Sequence, residues 1–485
     1  MMRRVVADSV AYGTTTIVSR ATLLVALLVL PFILTPRDYG ALGMLVTIAA
    51  LVATVIPLEV AQGLARHYAP APPGEKKAWA GTAGTFLLLM LAVFLILGQA
   101  FAEPLCRLIL GDPSYLAAFR VALVFMALNC LFSFLQSQCR WEFRTAEYVL
   151  ITLVFSFLTL ALSLGLGVLI DPPLTGVLLG QALGAGFAVA LGAFGLRRSF
   201  APGMDLPKLG EMLRYSLPLV PASIALFVSV HAGRLILNGL SSLEDVGLYT
   251  LAGQIAGIAT LGIVGVQGAL TPHIMAHHQD PATPGHLARL FEMFVGFAVV
   301  ACLALGLLAP EFIHYLSNPA YAGAGPLVLL LAPAALLAQM YVFAPGFAVA
   351  KRTVWQMWVS IAAALVAVIA NFALIRLWGI FGAAAATLLA ALAFLSLWFA
   401  LSQRLYPLPV RWHLVAVAAA AAALLGGVGQ AMAYGGVIEA LLFKGLILAV
   451  ASALVVMTRL VPLRASLAML RALSPLRARG GRARR

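Results

Sequence analysis

Apolar runs of about twenty residues, each closed off by charge, proline or glycine, follow one another along almost the whole chain. No other feature limits the fold as strongly. A run of that length crosses a hydrocarbon layer of about 30 Å when it is helical. Backbone N–H and C=O groups find no water there, so only helices or closed barrels satisfy them. Barrel strands would alternate over about ten residues, and these runs do not. With 63% of its 485 residues hydrophobic and 10% charged, the chain carries more apolar surface than a water-soluble core of this size hides. The expected class is an all-α membrane protein.

Fourteen runs are placed: six between residues 9 and 196, six between 215 and 401, and two between 412 and 460. The first, after Arg3 and Arg4, is too long for a signal peptide and reads as a retained span. Of the 31 Lys and Arg residues, 24 fall in alternate loops and at the two termini. The opposite loops hold only Arg37, Arg107 and Arg376. By the positive-inside rule both termini face the cytoplasm. One helix more or fewer would invert every later loop, so the asymmetry supports the count as well as the direction. It also accounts for the formal charge of +14 without nucleic acid. Residues 462–485 form a basic tail whose leucines and arginines suit anionic headgroups. Cys106, Cys130, Cys139 and Cys302 have neither metal nor redox spacing and read as packing residues.

An internal repeat runs through the first twelve spans. Asp38 and Gly40 match Asp245 and Gly247 at an offset of 207, Gln62 and Gly63 match Gln267 and Gly268 at 205, and Gly176 and Arg198 match Gly382 and Arg404 at 206. Six spans per unit is an even number, so the units enter from the same side and are parallel repeats. The expected organisation is an N-lobe at 1–200, a C-lobe at 201–405, two additional spans at 406–461 and the tail at 462–485, with a cleft between the lobes.

Ionisable groups within spans cost at least about 2.5 kcal/mol on insertion scales and need a partner or a purpose. Arg20 lies eleven residues into the first span, too deep for easy snorkelling: it either pairs with Glu59 in the second span to hold the lobe together, or faces the cleft and binds phosphate, with Glu59 releasing it when protonated. Arg234 follows His231 by three residues on one helical face, where forked donors and a titratable ring suit phosphate. Arg120 and Lys444, near outer ends, read as interfacial anchors. Pro218 and Pro221 should kink the seventh span and are candidate hinges. Gln62 and Gln267 are the preferred cleft amides among a set that includes Asn129, Gln136, Gln181 and Gln339. No phosphate-binding glycine loop or Walker lysine is seen, so ATP is not the expected energy source, and Glu59 is a candidate for proton or sodium coupling.

The segments LTPRDYGALGML, YSLPLVPASIALFVSVHAGRLILNGLSSLEDVGLYTLAGQIA and LIRLWGIFGAAAATLL, in this order, resemble the polysaccharide (Wzx-like, O-antigen/exopolysaccharide) flippase family of the MATE/MOP superfamily. The resemblance covers spans one to twelve. It departs at Gly233, where the family often has Asp before the arginine. It implies fourteen helices, an undecaprenyl-diphosphate-linked oligosaccharide carried to the outer leaflet of a bacterial inner membrane, no catalytic residues, no metal, and polysaccharide polymerase machinery as a neighbour. The competing expectations are a lipid II flippase, a MATE-type ion-coupled exporter, and a membrane polymerase or ligase acting on lipid-linked sugars. An exporter of cations would want cavity carboxylates, and an enzyme would want a long outer loop with acid/base residues, of which Glu311, His314 and Tyr315 are the only local cluster.

Overall fold

The computed structural model describes residues 2–461 apart from 264, 265, 268, 269, 271–273, 275–278, 317, 351, 433, 435 and 459; the side chains at 2–12, 16, 17, 20, 23 and 353 are outside the description too. The basic tail, His273 and Gly268 therefore lie outside the described residues. What is described is helical, with no strand. In order come α1 (Met2–Ile33), α2 (Pro36–Val55), α3 (Val60–Tyr68), α4 (Pro73–Ala100), α5 (Ala102–Leu110), α6 (Leu116–Trp141), α7 (Thr145–Leu169) and α8 (Pro173–Gly195). There follow α9 (Leu206–Ser216), α10 (Val220–Leu240), α11 (Leu243–Gly257), α12 (Thr283–Leu316), α13 (Val328–Leu337), α14 (Gly346–Val349), α15 (Thr353–Leu405), α16 (Trp412–Ala431) and α17 (Val437–Met457).

Twelve helical segments among the described residues are long and apolar enough to cross a membrane, which makes this a multi-pass membrane protein. The difference from fourteen lies in two places. In α1 only Leu24–Ile33 enters the comparison, and α15 runs through as one segment although Gly379 breaks it with φ 55° and ψ −131°. Only glycine takes that backbone region readily.

Two compact units make up the fold. One comprises Met1–Leu251, Leu316–Tyr321 and Asn371–Ala383; the other comprises Ala252–Tyr315, Ala322–Ala370 and Ala384–Arg485. In the first, the repeat becomes a physical contact. Thr35 caps α2 by accepting from Asp38 N–H at 3.2 Å, while the Asp38 carboxylate accepts from Thr35 N–H at 3.3 Å. At the matching place Ser242 Oγ accepts from Asp245 N–H at 3.2 Å. The two helix starts then meet. A Cβ on Gly40 would overlap the Leu243 carbonyl and lie 3.0 Å from Gly247 N, and a Cβ on Gly247 would overlap the Pro36 carbonyl and lie 3.0 Å from Gly40 N. Pro36 and Leu243 share the offset of the two glycines, so the contact is reciprocal, as across a local two-fold axis. Gly176 and Gly382 are likewise equivalent: each would drive a Cβ into a carbonyl of the preceding helical segment, Leu166 and Leu374 respectively.

The expected second span is not continuous. Pro57 cannot donate to the ladder and crowds the preceding turn, so α2 stops at Val55, and Leu58 and Glu59 take positive φ values of 48° and 54° before α3 begins. The seventh span breaks as expected: α9 ends at Ser216, a 3₁₀ turn covers Leu217–Leu219, and α10 resumes at Val220. α3 packs on α9 where Gly63 faces the Met212 carbonyl, which a Cβ would approach to 2.7 Å. In the second unit α16 and α17 lie on α12: Gly426 meets Leu303 and Leu329, Gly429 meets Leu307 and Ile447, and Gly296 meets Val455 and Val461. All four cysteines are buried and unbonded, as packing residues should be.

Candidate functional site

A cavity of about 570 Å³ lies inside the first unit, within the range of roughly 300–1,000 Å³ typical of small-ligand sites. Helical periodicity builds its walls. α7 supplies Thr152, Phe155, Ser156, Thr159 and Ser163, a stripe at spacings of three and four that keeps one face toward the cavity. α6 supplies Phe125, Asn129, Phe132 and Gln136, α1 supplies Ser19, Thr22 and Ala26, and α8 supplies Gln181. On α2 the wall is Val46, Ala49, Ala50 and Ala53, and these small side chains leave the space open.

Polarity on these walls is plentiful and uncharged. Ser156 Oγ–H donates to Ser19 Oγ at 2.9 Å, and Gln136 Nε2 donates to Thr152 Oγ1 at 3.0 Å, whose own hydrogen goes to the Tyr148 carbonyl at 2.6 Å. Thr22 turns to the Ser19 carbonyl at 2.7 Å. Three groups stay free among the described residues: the Ser163 hydroxyl, 4% exposed and without a partner, and the side-chain amides of Asn129 and Gln181. No Asp, Glu, Lys, Arg or His is found among the described lining residues. Phe132 and Phe155 stack with centroids 4.0 Å apart.

Of the site residues preferred in the sequence, Glu59, His231, Arg234, Gln62 and Gln267 are not on these walls. The Arg20 side chain lies outside the described ones, so its pairing with Glu59 is untraced; Glu59 itself accepts from Ser223 Oγ at 2.7 Å, in the first turn of α10 just past the 3₁₀ turn. Arg234 is half-buried on α10, has the phenols of Tyr39 and Tyr249 as electrostatic neighbours, and meets no carboxylate within ion-pair distance among the described residues. His231 packs its ring on Phe227 at 4.8 Å. The matched glutamines differ: Gln62 is exposed, whereas Gln267 Nε2 donates to the Gln339 carbonyl at 3.3 Å.

Lys444 corrects its sequence reading outright. It is no interfacial anchor but is buried, donating to the Leu307 carbonyl at 2.8 Å and forming an ion pair with Glu311. A lysine seven residues into a helix reaches the surface unless a partner on another helix holds it, and α12 provides that partner. Glu311 is thereby withdrawn from the expected cluster, leaving His314 and Tyr315 in edge contact at 4.7 Å. Outside the spans, Asp112 pairs with Arg37 at 2.9 Å, and the Ser114 backbone N–H holds its carboxyl below the ordinary range.

The cavity hydroxyls of α7 do not stand out in the sequence. Serine and threonine are ordinary in membrane helices, and the only signal is the stripe from Thr152 to Ser163.

Comparison with known proteins bears on both fold and family. Residues 5–278, more than half of the chain, match the profile of a family described as polysaccharide biosynthesis protein. No curated protein sequence matches the chain significantly. Among solved structures, lipid II flippase MurJ in an inward closed conformation superposes with a TM-score of 0.73 at 12% identity, covering 93% of this chain and 100% of that one. An inward-facing multidrug resistance MATE family transporter of the MOP superfamily gives 0.61 at 15% identity, over 78% and 92%. An outward-facing MATE family transporter gives 0.52 at 15% identity, over 82% and 94%. At such identities the likeness establishes the MATE/MOP-like fold.

Proposed function

Because the chain belongs to the polysaccharide biosynthesis protein family and has a MATE/MOP-like fold, we propose that it is a flippase, not an enzyme, and carries a lipid-linked oligosaccharide from the cytoplasmic to the outer leaflet. The observation that carries the reading is the cavity of the first unit, whose described lining is uncharged and hydrogen-bonding. Each sugar hydroxyl taken into hydrocarbon without a partner costs about 4–8 kcal/mol. A saccharide therefore does not cross unaided. A wall of hydroxyls and amides, several of them free, replaces water at little cost and lets go again.

The lipid carrier in this reading is undecaprenyl diphosphate. Arg234, with no carboxylate in ion-pair distance among the described residues, offers forked donors to its phosphates, with His231 one turn away; Arg20 is the second cation assigned to that task. The structural neighbour MurJ is a lipid II flippase, which supports a lipid-linked cargo here and keeps lipid II as the runner-up. A cation exporter is disfavoured by the lack of carboxylates on the described cavity walls. Alternating access in this reading opens the reciprocal Gly40–Gly247 contact when cargo leaves. Proton coupling would run through Glu59, whose bond to Ser223 joins α10 just past its break, with Pro218 and Pro221 as the hinge. The bacterial inner membrane, cytoplasmic termini, a tail on anionic lipids and polymerase machinery nearby complete the proposal.

Deleting the gene and analysing lipid-linked intermediates tests it. A complete undecaprenyl-linked repeat unit should accumulate inside the cell. Surface polysaccharide retained with altered chain length would instead indicate an enzyme. Arg20→Glu should abolish transport while the protein stays in the membrane.

A further inference from the structure

We propose that the cavity of the first unit is a subsite for one uncharged sugar ring of the cargo, and that it discriminates against acidic sugars. The inference rests on the flippase reading and says what that reading leaves open: which part of the cargo the cavity holds and which cargoes it refuses.

Three features of the walls converge on this ligand. First, the free groups have the right chemistry. The amides of Asn129 and Gln181 each offer a donor and an acceptor in one plane, which suits a pair of neighbouring hydroxyls, and the Ser163 hydroxyl is buried with its bonding capacity unused. A buried hydroxyl without a partner is costly, and it is tolerated where a ligand or water completes it. Second, Phe125, Phe132 and Phe155 line the same space, and flat apolar surface beside hydrogen-bonding groups matches a pyranose, whose C–H faces are apolar and whose rim is polar. Third, no described lining residue carries charge. A uronate carboxylate entering here would shed its water without gaining a cation. A neutral ring gives up only hydroxyl solvation, which the walls return.

The other pockets of polarity do not compete for this role. Lys444 pairs with one carboxylate oxygen of Glu311, and Arg411 with both of Glu292. Both pairs occupy helix-packing seams of the second unit rather than a cavity wall.

The test uses the full chain in lipid nanodiscs, free of glycoside detergent. Thr159→Cys provides a reporter on the wall: Thr159 is half-buried, whereas the four native cysteines are buried, so wild-type labelling gives the background. The rate of modification by a small neutral thiosulfonate is measured with octyl glucoside, octyl glucuronide or octyl phosphocholine, each below its micellar concentration. Octyl glucoside at ten times its apparent dissociation constant should slow the reaction about tenfold, since protection follows 1 + [L]/Kd. The glucuronide and the phosphocholine should slow it less than about twofold on the same relation. Adding Asn129→Ala to the reporter should remove the glucoside protection. Protection by the glucuronide equal to or above that by the glucoside would overturn the proposal and reveal a cation at the wall. Equal protection by octyl phosphocholine would overturn it in favour of an acyl-chain chamber. No protection by any of the three overturns it as well. Ser156→Cys, on the same stripe, serves as reporter if Thr159→Cys does not fold. The subsite and the flippase reading fail separately: glucoside protection in a protein whose deletion accumulates no lipid-linked saccharide leaves a neutral glycoside site serving another cargo.

Discussion

The cavity wall of the first unit and the helix seams of the second bury polarity in opposite ways. On the described cavity wall the groups are neutral and partly unpaired: the buried Ser163 hydroxyl has no partner, and the amides of Asn129 and Gln181 line the same space. At the seams of the second unit they are charged and paired. Glu292, 4% exposed, takes a fork from Arg411 at 2.6 and 3.1 Å and its backbone N–H at 2.9 Å, and Glu311 takes Lys444. Both glutamates stand on α12, about 28 Å apart along the axis at 1.5 Å per residue. They hold the segment at Arg411 that leads into α16, and α17, at opposite ends of one helix. Glycine contacts at Gly296, Gly426 and Gly429 close the seams between them. The difference teaches a division of labour. Matched ions fix geometry, because separating them exposes bare charge to hydrocarbon. Unmatched neutral groups exchange partners at low cost, as a passing cargo requires. The last two helices, whose purpose the sequence leaves open, are clamped to α12 by this logic.

The strongest way to break the comparison is to unpair an ion in the second unit. Lys444→Met leaves Glu311 buried without its ammonium, and should lower stability by about 3–5 kcal/mol, the usual cost of an uncompensated buried charge. Thermal unfolding in detergent measures it. Lys444→Met with Glu311→Leu should recover most of the loss, since a matched apolar pair replaces a matched ionic one. If the single change proves as mild as the double, the pair is no clamp.

Next in size is the reverse experiment, which imports charge onto the neutral cavity wall. Gln136→Glu places a carboxylate on a cavity wall with no described cation and removes the donor to Thr152. A cost of about 2.5–3.5 kcal/mol is expected, the insertion-scale value for a mid-membrane acid. A smaller change is Thr152→Val, nearly isosteric, which deletes the acceptor of the Gln136 bond and should cost about 0.5–1.5 kcal/mol. The contrast to look for is in transport. Thr152→Val should impair translocation more than its small stability loss explains, because it alters a wall the cargo touches. A stable variant with unaltered transport would detach that wall from the cargo path.

Where the sequence is informative, backbone physics is the reason. The repeat of Asp38 and Gly40 as Asp245 and Gly247 announces equivalent positions, and the structure makes them capped helix starts in reciprocal contact. The break at Pro218 is equally legible, because proline acts locally. Pro57 carries the same message, but its neighbours are apolar enough to read as one run and hide it. Of the cavity, the amides Asn129, Gln136 and Gln181 are visible in the sequence, but not the hydroxyls that accompany them. Hydrophobic periodicity reports which face of a helix is apolar, and not which helix that face meets. For that reason Lys444 reads as a surface anchor although Glu311 waits for it across a helix seam.

The smallest expected effect tests whether burial, rather than pairing itself, sets the worth of an ion pair. Arg37 and Asp112 are as close as a buried pair, at 2.9 Å, yet the arginine side chain is 61% exposed. Water and salt screen such a pair, and side-chain ordering offsets part of the attraction, so less than about 1 kcal/mol is expected from Asp112→Asn. The pH dependence follows from sign. The Ser114 N–H, with Arg37 assisting, holds the Asp112 carboxyl below its ordinary value of 3.8 in the folded chain. Its stabilising contribution is therefore complete above that value and is lost as pH falls through the lower, folded one. Between neutral pH and about 5 the Asn variant and the parent should unfold in parallel, converging only in stronger acid. High salt should erase the neutral-pH difference at Asp112 and leave the Lys444 difference nearly intact, because screening reaches exposed charges and not those sealed between helices. Equal salt sensitivity at the two sites would mean that solvent reaches Lys444, and the division between ion-clamped helix seams and an exchangeable, neutral cavity wall would not hold.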